Sequence, residues 1–181
     1  NEYSWFETNI SFGILAWIKY GLSFFSIIFP MKSLFASAKK IINSKLSDQQ
    51  KNIMFNESTE RPFSSELLNE KRKGFYHCAN CGNKLFASNS KFDSGTGWPS
   101  FSEALPGAFK TKIDYSLGMK RIEYHCANCG VHHGHVFDDG PDGNLRYCIN
   151  SASLEFVAKE DLKKRGLEKY LDLFKKWEII I

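Results

Sequence analysis

The chain has 181 residues and a formal net charge of +4, with 43% hydrophobic and 24% charged residues. This length is enough for one domain with its own core, plus some extra sequence. Five lysines and two glutamates within residues 1–46 supply most of the net charge, so the chain from Ser47 onward is nearly neutral. A nearly neutral domain argues against a dedicated nucleic-acid surface.

The first 46 residues differ in composition from the rest of the chain. Residues 10–30 are apolar except for Lys19, and residues 31–46 carry four lysines, three serines and no acid. Three interpretations compete: a signal or membrane anchor with a small-x-small cleavage motif at 36–38, a transit peptide beginning at Met31, or a disordered tail. We expect residues 1–46 to be a targeting or tail segment and residues 47–177 to form the folded domain.

From Ser47 the sequence has the pattern of a folded domain. Ser47 and the residues after it are typical of a capped helix start that leads to Ile53 and Met54. Between Gly74 and Phe156, short aromatic runs alternate with glycine-rich turns, which predicts short antiparallel strands and long loops. Apolar residues at helical spacing predict an amphipathic helix over residues 159–177. The predicted class is mostly β, with short peripheral helices.

One heptapeptide occurs twice, at 76–82 and at 124–130, and reads YHCANCG both times. Each copy ends in a Cys-x-x-Cys pair and a glycine, a turn that places two sulfurs on one side of a tight loop. Residues 82–125 separate the two pairs, so a shared metal would join two distant hairpins. Zinc prefers four tetrahedral ligands, and four protein thiolates leave no open position. We therefore predict a structural zinc held by four cysteines, namely Cys78, Cys81, Cys126 and Cys129.

Two other interpretations of the repeat are weaker. A redox dithiol of the thioredoxin type would need a βαβ context, which the sequence does not show. His77 and His125 precede ligand cysteines, but four sulfurs already complete the shell, so we expect these histidines to be exposed strand residues. Paired Cys-x-x-Cys turns suit a metal better than disulfides, which favours reduced thiols and an intracellular setting.

Cys148 is the fifth cysteine and has no partner in this scheme. A free thiol is only slightly ionised at neutral pH, so a nucleophilic cysteine needs positive charge or donors nearby. Arg146 and the histidines at 132–135 could supply them, and we expect Arg146 to contact substrate as well. The alternative is a buried, inert cysteine with surface histidines.

Several segments occur in one order that resembles a known family. They are TERPFS at 59–64, SGTGWPSF at 94–101, GMKRIE at 118–123, HHGHVF at 132–137 and RYCINSASLEF at 146–156, together with the two Cys-x-x-Cys turns. Over about residues 46–174 the chain is similar to the B-type methionine sulfoxide reductases, in the form with a single catalytic cysteine. The family acts on the R epimer of methionine sulfoxide.

The resemblance implies a role for each matching residue. Cys148 matches the nucleophile, and His132 and His135 match histidines that bind and protonate the departing oxygen. Asn150 matches a polar residue that orders the site, and Trp98 an aromatic that packs against the S-methyl group of the substrate. The family also implies two antiparallel sheets in a tent-like arrangement, with zinc away from the active site, and a sulfenic acid on Cys148 after reduction.

Two positions depart from the family pattern. Many relatives have a resolving cysteine where this chain has Thr96, so we predict that an external thiol regenerates Cys148 directly. Relatives usually have leucine where this chain has His133, and we expect that side chain to face outward.

The expected partners are oxidised proteins or free methionine-R-sulfoxide, with thioredoxin, glutaredoxin or small thiols as reductant. We expect a monomer that takes part in oxidative damage repair, located in the cytoplasm or an organelle after removal of the N-terminal segment. Two alternatives stay open at this point: a zinc-stapled binding module with a spare cysteine, and an inactive relative that serves as a redox sensor.

Overall fold

The computed structural model describes residues 39–172 and 174. One α-helix, α1 (Asp48–Asn56), opens the domain, and Ser47 forms the capping box with Gln50 at its N-terminus. The hydroxyl of Ser47 accepts from the Gln50 backbone N–H, while the Gln50 side chain accepts from the Ser47 N–H, which satisfies two amides at the helix start. The predicted capped helix start is confirmed.

The described chain contains nine short strands. They are β1 (Gly74–Cys78), β2 (Lys84–Ala87), β3 (Lys91–Phe92), β4 (Ser100–Phe101), β5 (Phe109–Asp114), β6 (Arg121–Cys126), β7 (His132–Phe137), β8 (Arg146–Ile149) and β9 (Leu154–Ala158). Turns and short 3₁₀ segments connect them.

The strands form two antiparallel sheets. The smaller sheet has the order β2-β1-β9, and the larger has the order β3-β4-β8-β7-β6-β5. All pairings are antiparallel, which agrees with connections as short as a single hairpin turn. The prediction of a mostly β fold with two antiparallel sheets is confirmed.

Aromatic side chains from both sheets form the main core. Phe86 of the smaller sheet stacks on Phe101 of the larger sheet with ring centroids 4.2 Å apart, and Tyr76 packs edge-on to Phe101 at 4.9 Å. A second cluster on the other face of the smaller sheet includes Phe75 and Phe174. Strand β1 is therefore buried on both faces, which agrees with its continuous run of buried residues.

The predicted C-terminal helix begins later than expected. From residue 159 the chain makes 3₁₀ segments at Lys159–Asp161 and Glu168–Tyr170, separated by Gly166 with φ +66°, and residues 171, 172 and 174 are α-helical. A left-handed glycine ends helical propagation, although the apolar residues still cover the smaller sheet.

The predicted N-terminal hydrophobic and basic segment lies almost wholly outside the described residues. Within the described ranges, no helix is long and apolar enough to span a membrane. Residues 39–46 do lie against the domain: the Asn80 side-chain amide donates to the Lys40 carbonyl at 2.7 Å.

Candidate active site and metal centre

The four cysteines of the repeat meet in space. The sulfurs of Cys78 and Cys129 lie 3.7 Å apart, and those of Cys81 and Cys126 lie 3.6 Å apart. A tetrahedral zinc with Zn–S bonds of about 2.3 Å has sulfur–sulfur edges of about 3.8 Å. The four sulfurs therefore fit a closed tetrahedral site, and we call this group the cysteine tetrad.

The two turns that carry the tetrad have the same backbone design. Gly82 donates its N–H to the carbonyl of Cys78 at 2.8 Å, and Gly130 donates to Cys126 at 2.9 Å. Both glycines have left-handed φ angles, +71° and +73°, which side-chain-bearing residues rarely adopt. One turn joins β1 to β2 in the smaller sheet and the other joins β6 to β7 in the larger sheet, so the tetrad ties the two sheets together.

Cys126 has a hydrogen-bond donor beyond its partner thiols. The side-chain amide of Asn83 donates to its sulfur at 3.6 Å. Hydrogen bonding with Cys129 and the other neighbouring thiols holds the pKa of Cys126 well below that of a free thiol, while hydrogen bonding with Cys126 raises the pKa of Cys78 and Cys129. Within the tetrad, Cys126 thus favours the thiolate, which is the metal-binding form.

Cys148 lies on β8, away from the tetrad in the sheet. Its Cα pairs with Ser100 on one side and with His135 on the other. The Tyr124 hydroxyl donates to the Cys148 carbonyl at 2.9 Å. Gly134 on β7 allows close approach, because a Cβ there would lie 2.0 Å from that same carbonyl oxygen.

Arg146 precedes Cys148 by two residues and so lies on the same face of β8. Burial raises the pKa of the Cys148 thiol, and the positive charge of the Arg146 guanidinium acts in the opposite direction. Asp139 holds Arg146 with two hydrogen bonds of 2.8 and 3.0 Å, and the guanidinium lies over the Phe137 ring. Arg146 is therefore fixed on the face of β8 that carries the Cys148 thiol.

A cavity of about 170 Å³ opens beside Cys148. Its lining includes three of the predicted site residues besides the cysteine: Trp98, His135 and Asn150. His132 and Arg146 are not in the lining. Sequence reasoning gave no site role to the other lining residues, which are Thr59, Arg121, Gly134, Phe137 and Ile149.

The two predicted catalytic histidines lie at different positions relative to the cavity. His135 lines the cavity, and its Nε2 contacts Asp114 at 2.8 Å. Burial lowers the pKa of His135, and the hydrogen bond to Asp114 acts in the opposite direction. His132 is buried behind the cavity, with Nδ1 2.5 Å from Glu123 and Nε2 3.4 Å from the Asn150 amide. His132 thus reaches the cavity through Asn150.

Glu60 organises the cavity wall, a role that sequence reasoning missed. Its backbone carbonyl accepts from Trp98 Nε1 at 3.1 Å, and its N–H donates to the Asn150 side chain at 3.0 Å. Its buried carboxylate accepts from the backbone N–H groups of Ser151 at 2.6 Å and Ala152 at 3.0 Å. The quoted TERPFS segment contains Glu60, but only the fold brings it beside residues some 90 positions away.

The position of the missing resolving cysteine is occupied by hydroxyls. Thr96 Oγ1 lies 2.9 Å from Ser94 Oγ, which lies 2.8 Å from Ser100 Oγ. All five cysteines are free thiols, so the described chain contains no disulfide.

The expected positions of three histidines were wrong. His133 was expected to face outward but is fully buried, with Nδ1 2.7 Å from the Ser153 hydroxyl. His77 and His125 were expected to be exposed, yet His77 is buried and His125 contacts Glu123 at 3.2 Å. Alternation along a strand implies exposure only where one sheet face meets solvent, and both faces of these sheets are covered in places.

Two other clusters bring carboxylates and histidines together. They are Glu57 with Glu123 and His125, and Asp114 with Glu123 and His135. Lys112 contacts both glutamates, at 2.8 and 3.0 Å, and Arg121 contacts Asp114 at 2.6 Å. Burial alone would raise the pKa of Glu123, but hydrogen bonds from His125 and His132 outweigh it and hold that pKa well below its usual range. These carboxylates are already paired with cationic or histidine partners, so we assign them no metal.

Comparison with known proteins agrees with this geometry. The family model described as the SelR domain matches residues 46–158. Relatives named peptide methionine sulfoxide reductase MsrB include those of Variovorax paradoxus (58% identity, covering 56% of this chain and 76% of that protein) and Methanosarcina mazei (50%, covering 67% and 88%). The crystal structure of the Mis18 'Yippee-like' domain has a TM-score of 0.40 and 18% identity over 48% of this chain and 96% of that chain, too low to define the fold.

The fold and the site define a β protein with a cysteine tetrad and a separate cysteine beside a small cavity. The chain belongs to the SelR domain family.

Proposed function

We propose that this chain reduces methionine-R-sulfoxide, free or in polypeptides, to methionine, with Cys148 as the nucleophile. Family membership supports the substrate class. The observation that carries the residue assignment is the place of Cys148 in the wall of a cavity that Trp98 and His135 also line. The other four cysteines are gathered in the tetrad.

The net chemical step transfers one oxygen atom. The Cys148 sulfur attacks the sulfoxide sulfur, the sulfur–oxygen bond of the substrate breaks, and the oxygen ends on Cys148 as a sulfenic acid. The substrate sulfur gains the electron pair and becomes a thioether, while the cysteine sulfur is oxidised. The thiol proton of Cys148 becomes the proton of the S–OH group.

The cavity supplies groups suited to each end of the substrate. Trp98 offers an aromatic face for the S-methyl group, a contact that sulfur-bearing groups favour. His135 lines the same region, and because the Asp114 carboxylate takes its Nε2–H, the ring donates to the departing oxygen through Nδ1 in its protonated form. The Asn150 amide links that region to His132. A sulfoxide oxygen is a strong acceptor, so donors placed there stabilise the charge that develops on it.

Regeneration uses an external thiol. Cys148 sulfenic acid condenses with that thiol to a mixed disulfide and water, and a second thiol releases the reduced enzyme with a new disulfide. The hydroxyls at Thr96 and Ser94 support this route because neither can form a disulfide. Thioredoxin, glutaredoxin with glutathione, or a small dithiol would serve as the reductant. The enzyme would act as a monomer in oxidative damage repair, in a reducing compartment.

The tetrad would hold zinc in a structural role. Its spacing fits a tetrahedral ion, and four protein sulfurs leave no coordination position for substrate. The ion would supply a cross-link between the two sheets.

The test is turnover of separated methionine sulfoxide epimers, labelled with dabsyl, in the presence of dithiothreitol. Wild type should reduce the R epimer and leave the S epimer, and Cys148→Ser should abolish reduction while keeping its metal content and fold. Equal turnover by the serine variant, or no R-epimer reduction by wild type, would contradict the proposal.

A further inference from the structure

The two copies of the YHCANCG heptapeptide differ in the surroundings of their asparagine. Asn80, in the first copy, is only 2% exposed, whereas Asn128, in the second copy, lies exposed. Each asparagine lies between the two cysteines of its turn, and both turns are closed by the same backbone hydrogen bond to the glycine. The sequence of the turn is therefore not the cause of the difference, which comes from what packs on the first turn.

Residues 39–46 pack on the first turn, and we call them the strap. The backbone N–H groups of Ile42 and Asn43 donate to the side-chain oxygen of Asn80 at 2.9 and 3.2 Å. The amide nitrogen of Asn80 in turn donates to the Lys40 carbonyl at 2.7 Å. A backbone N–H only donates and a carbonyl only accepts, so these bonds fix the orientation of the Asn80 amide.

The strap also reaches the second turn and is anchored at both ends. The backbone N–H of Lys40 donates to the carbonyl of Cys129, with the two heavy atoms 3.5 Å apart. Lys39 donates from Nζ to the carbonyl of Phe55 at 2.8 Å, in the last turn of α1, where carbonyls lack a partner within the helix. Leu46, at the other end, is buried in the main core. The strap thus contacts both cysteine turns between two fixed points.

We infer that the strap holds the metal centre closed and that Asn80 is the residue that binds it there. Three of the tetrad cysteines are buried and Cys81 is partly buried. Release of a metal from such a site requires local opening of the turns that hold it, and a segment bonded to both turns opposes that opening. The matching family model begins at residue 46, so residues 39–45 of the strap lie outside it. The inference rests on the proposed metal site and not on the proposed catalytic step.

The first experiment measures zinc release from the purified, loaded full chain to an excess of chelator. Asn80→Ala removes the side-chain bonds to the strap, so zinc should be released about tenfold faster than from wild type. Asn128→Ala is the matched control, because it makes the same change at the same position of the exposed copy. Release from this variant should stay within about twofold of wild type, as is usual for a surface substitution.

Amide hydrogen exchange of the same variants reports on the strap independently of metal release. The N–H groups of Ile42 and Asn43 are bonded to Asn80, so they should be protected in wild type. In Asn80→Ala both should exchange about tenfold faster, while Asn128→Ala should leave them unchanged.

The outcomes separate this inference from the proposal on which it rests. Faster exchange at Ile42 and Asn43 with unchanged zinc release would overturn the role of the strap at the metal centre. Unchanged exchange in Asn80→Ala would overturn the role of Asn80 in binding the strap. Absence of metal from purified wild type would instead overturn the metal site itself.

A second pair of variants tests the same contact from the side of the strap if Asn80→Ala does not fold. Ile42→Pro removes the N–H that bonds to Asn80, and Ile41→Pro places the same residue at the neighbouring exposed position. Zinc release should be faster from Ile42→Pro than from Ile41→Pro. Equal release from the two would overturn the inference.

Discussion

The groups around Cys148 shift the pKa of its thiol in opposite directions. Burial raises its pKa, the Arg146 guanidinium lowers it, and the charges of Asp139 and Glu60 raise it again. The net result is a raised pKa, so the resting group is mainly a thiol at neutral pH. A protonated cysteine is protected from adventitious oxidants, while the nearby arginine keeps its thiolate accessible.

Arg146→Met should move the ionisation of Cys148 further upward. Loss of the cation destabilises the thiolate, so alkylation by iodoacetamide should become slower below the shifted pKa and equal to wild type above it. We expect about tenfold slower alkylation at neutral pH, read from a full pH profile. Arg165→Met, which removes only an exposed ion pair with Glu155, is the control. An unchanged profile in Arg146→Met would contradict the electrostatic effect of Arg146 on the Cys148 thiol.

The Glu60→Gln variant should distinguish the effect of the Glu60 charge on Cys148 from the effect of the Glu60 hydrogen bonds on the site. The amide keeps one acceptor oxygen, so one of the N–H groups of Ser151 and Ala152 loses its partner. Turnover should fall about tenfold because the turn at Ser151 and Ala152, which directly follows Asn150, is held less firmly, while the pKa of Cys148 should fall because a negative charge is gone. Steady-state kinetics and the alkylation profile measure the two effects. Unchanged turnover, with Glu66→Gln as the surface control, would remove Glu60 from the site.

At the scale of elements, the sequence predicted those features whose stability depends on a few neighbouring residues. Capping at Ser47 and glycine turns after the paired cysteines depend on a few neighbouring residues, and these were predicted correctly. The C-terminal helix begins later than predicted because apolar spacing does not encode the left-handed turn at Gly166. The buried state of His133 could not be predicted from local sequence, since it depends on contacts with Ser153, in the 3₁₀ turn after β8, and with Phe109 on β5.

Gly134→Ala tests the contact between β7 and β8. A methyl group would overlap the Cys148 carbonyl, so β8 would have to shift, and we expect a loss of more than about 4 kcal/mol in unfolding free energy. Gly118→Ala is the comparison, because that position has free space and only a left-handed φ of +72°, a cost of about 1 kcal/mol. Chemical denaturation measures both. Equal losses would contradict the close approach.

At the scale of the whole molecule, the tetrad joins sheets that otherwise meet through aromatic packing. The repeat predicted four ligands because the turn chemistry is local, and the fold then placed the two turns together. The cavity was predictable only through family resemblance. Trp98, His135 and Cys148 come from three separate segments, and no spacing rule relates them.

Cys81→Ser and Cys126→Ser should each lose the metal and much of the stability of the domain. Metal binding at a closed thiolate site is coupled to folding, so removing one ligand removes the cross-link between sheets. We expect the melting temperature to fall by more than about 10 °C, since each kcal/mol is worth several degrees in a domain of this size. Cys148→Ser is the matched control and should keep both metal and melting temperature. Retained stability in the tetrad variants would contradict the structural role.

The central claim is that Cys148 acts without a partner cysteine. The direct measurement treats reduced, metal-loaded protein with methionine-R-sulfoxide in the absence of any thiol, and then maps the cysteines by mass spectrometry with a sulfenic-acid trap. The account predicts one methionine released per chain, the trap on Cys148 alone, and the tetrad still loaded. An intramolecular disulfide involving Cys148, or oxidation confined to the tetrad, would contradict it.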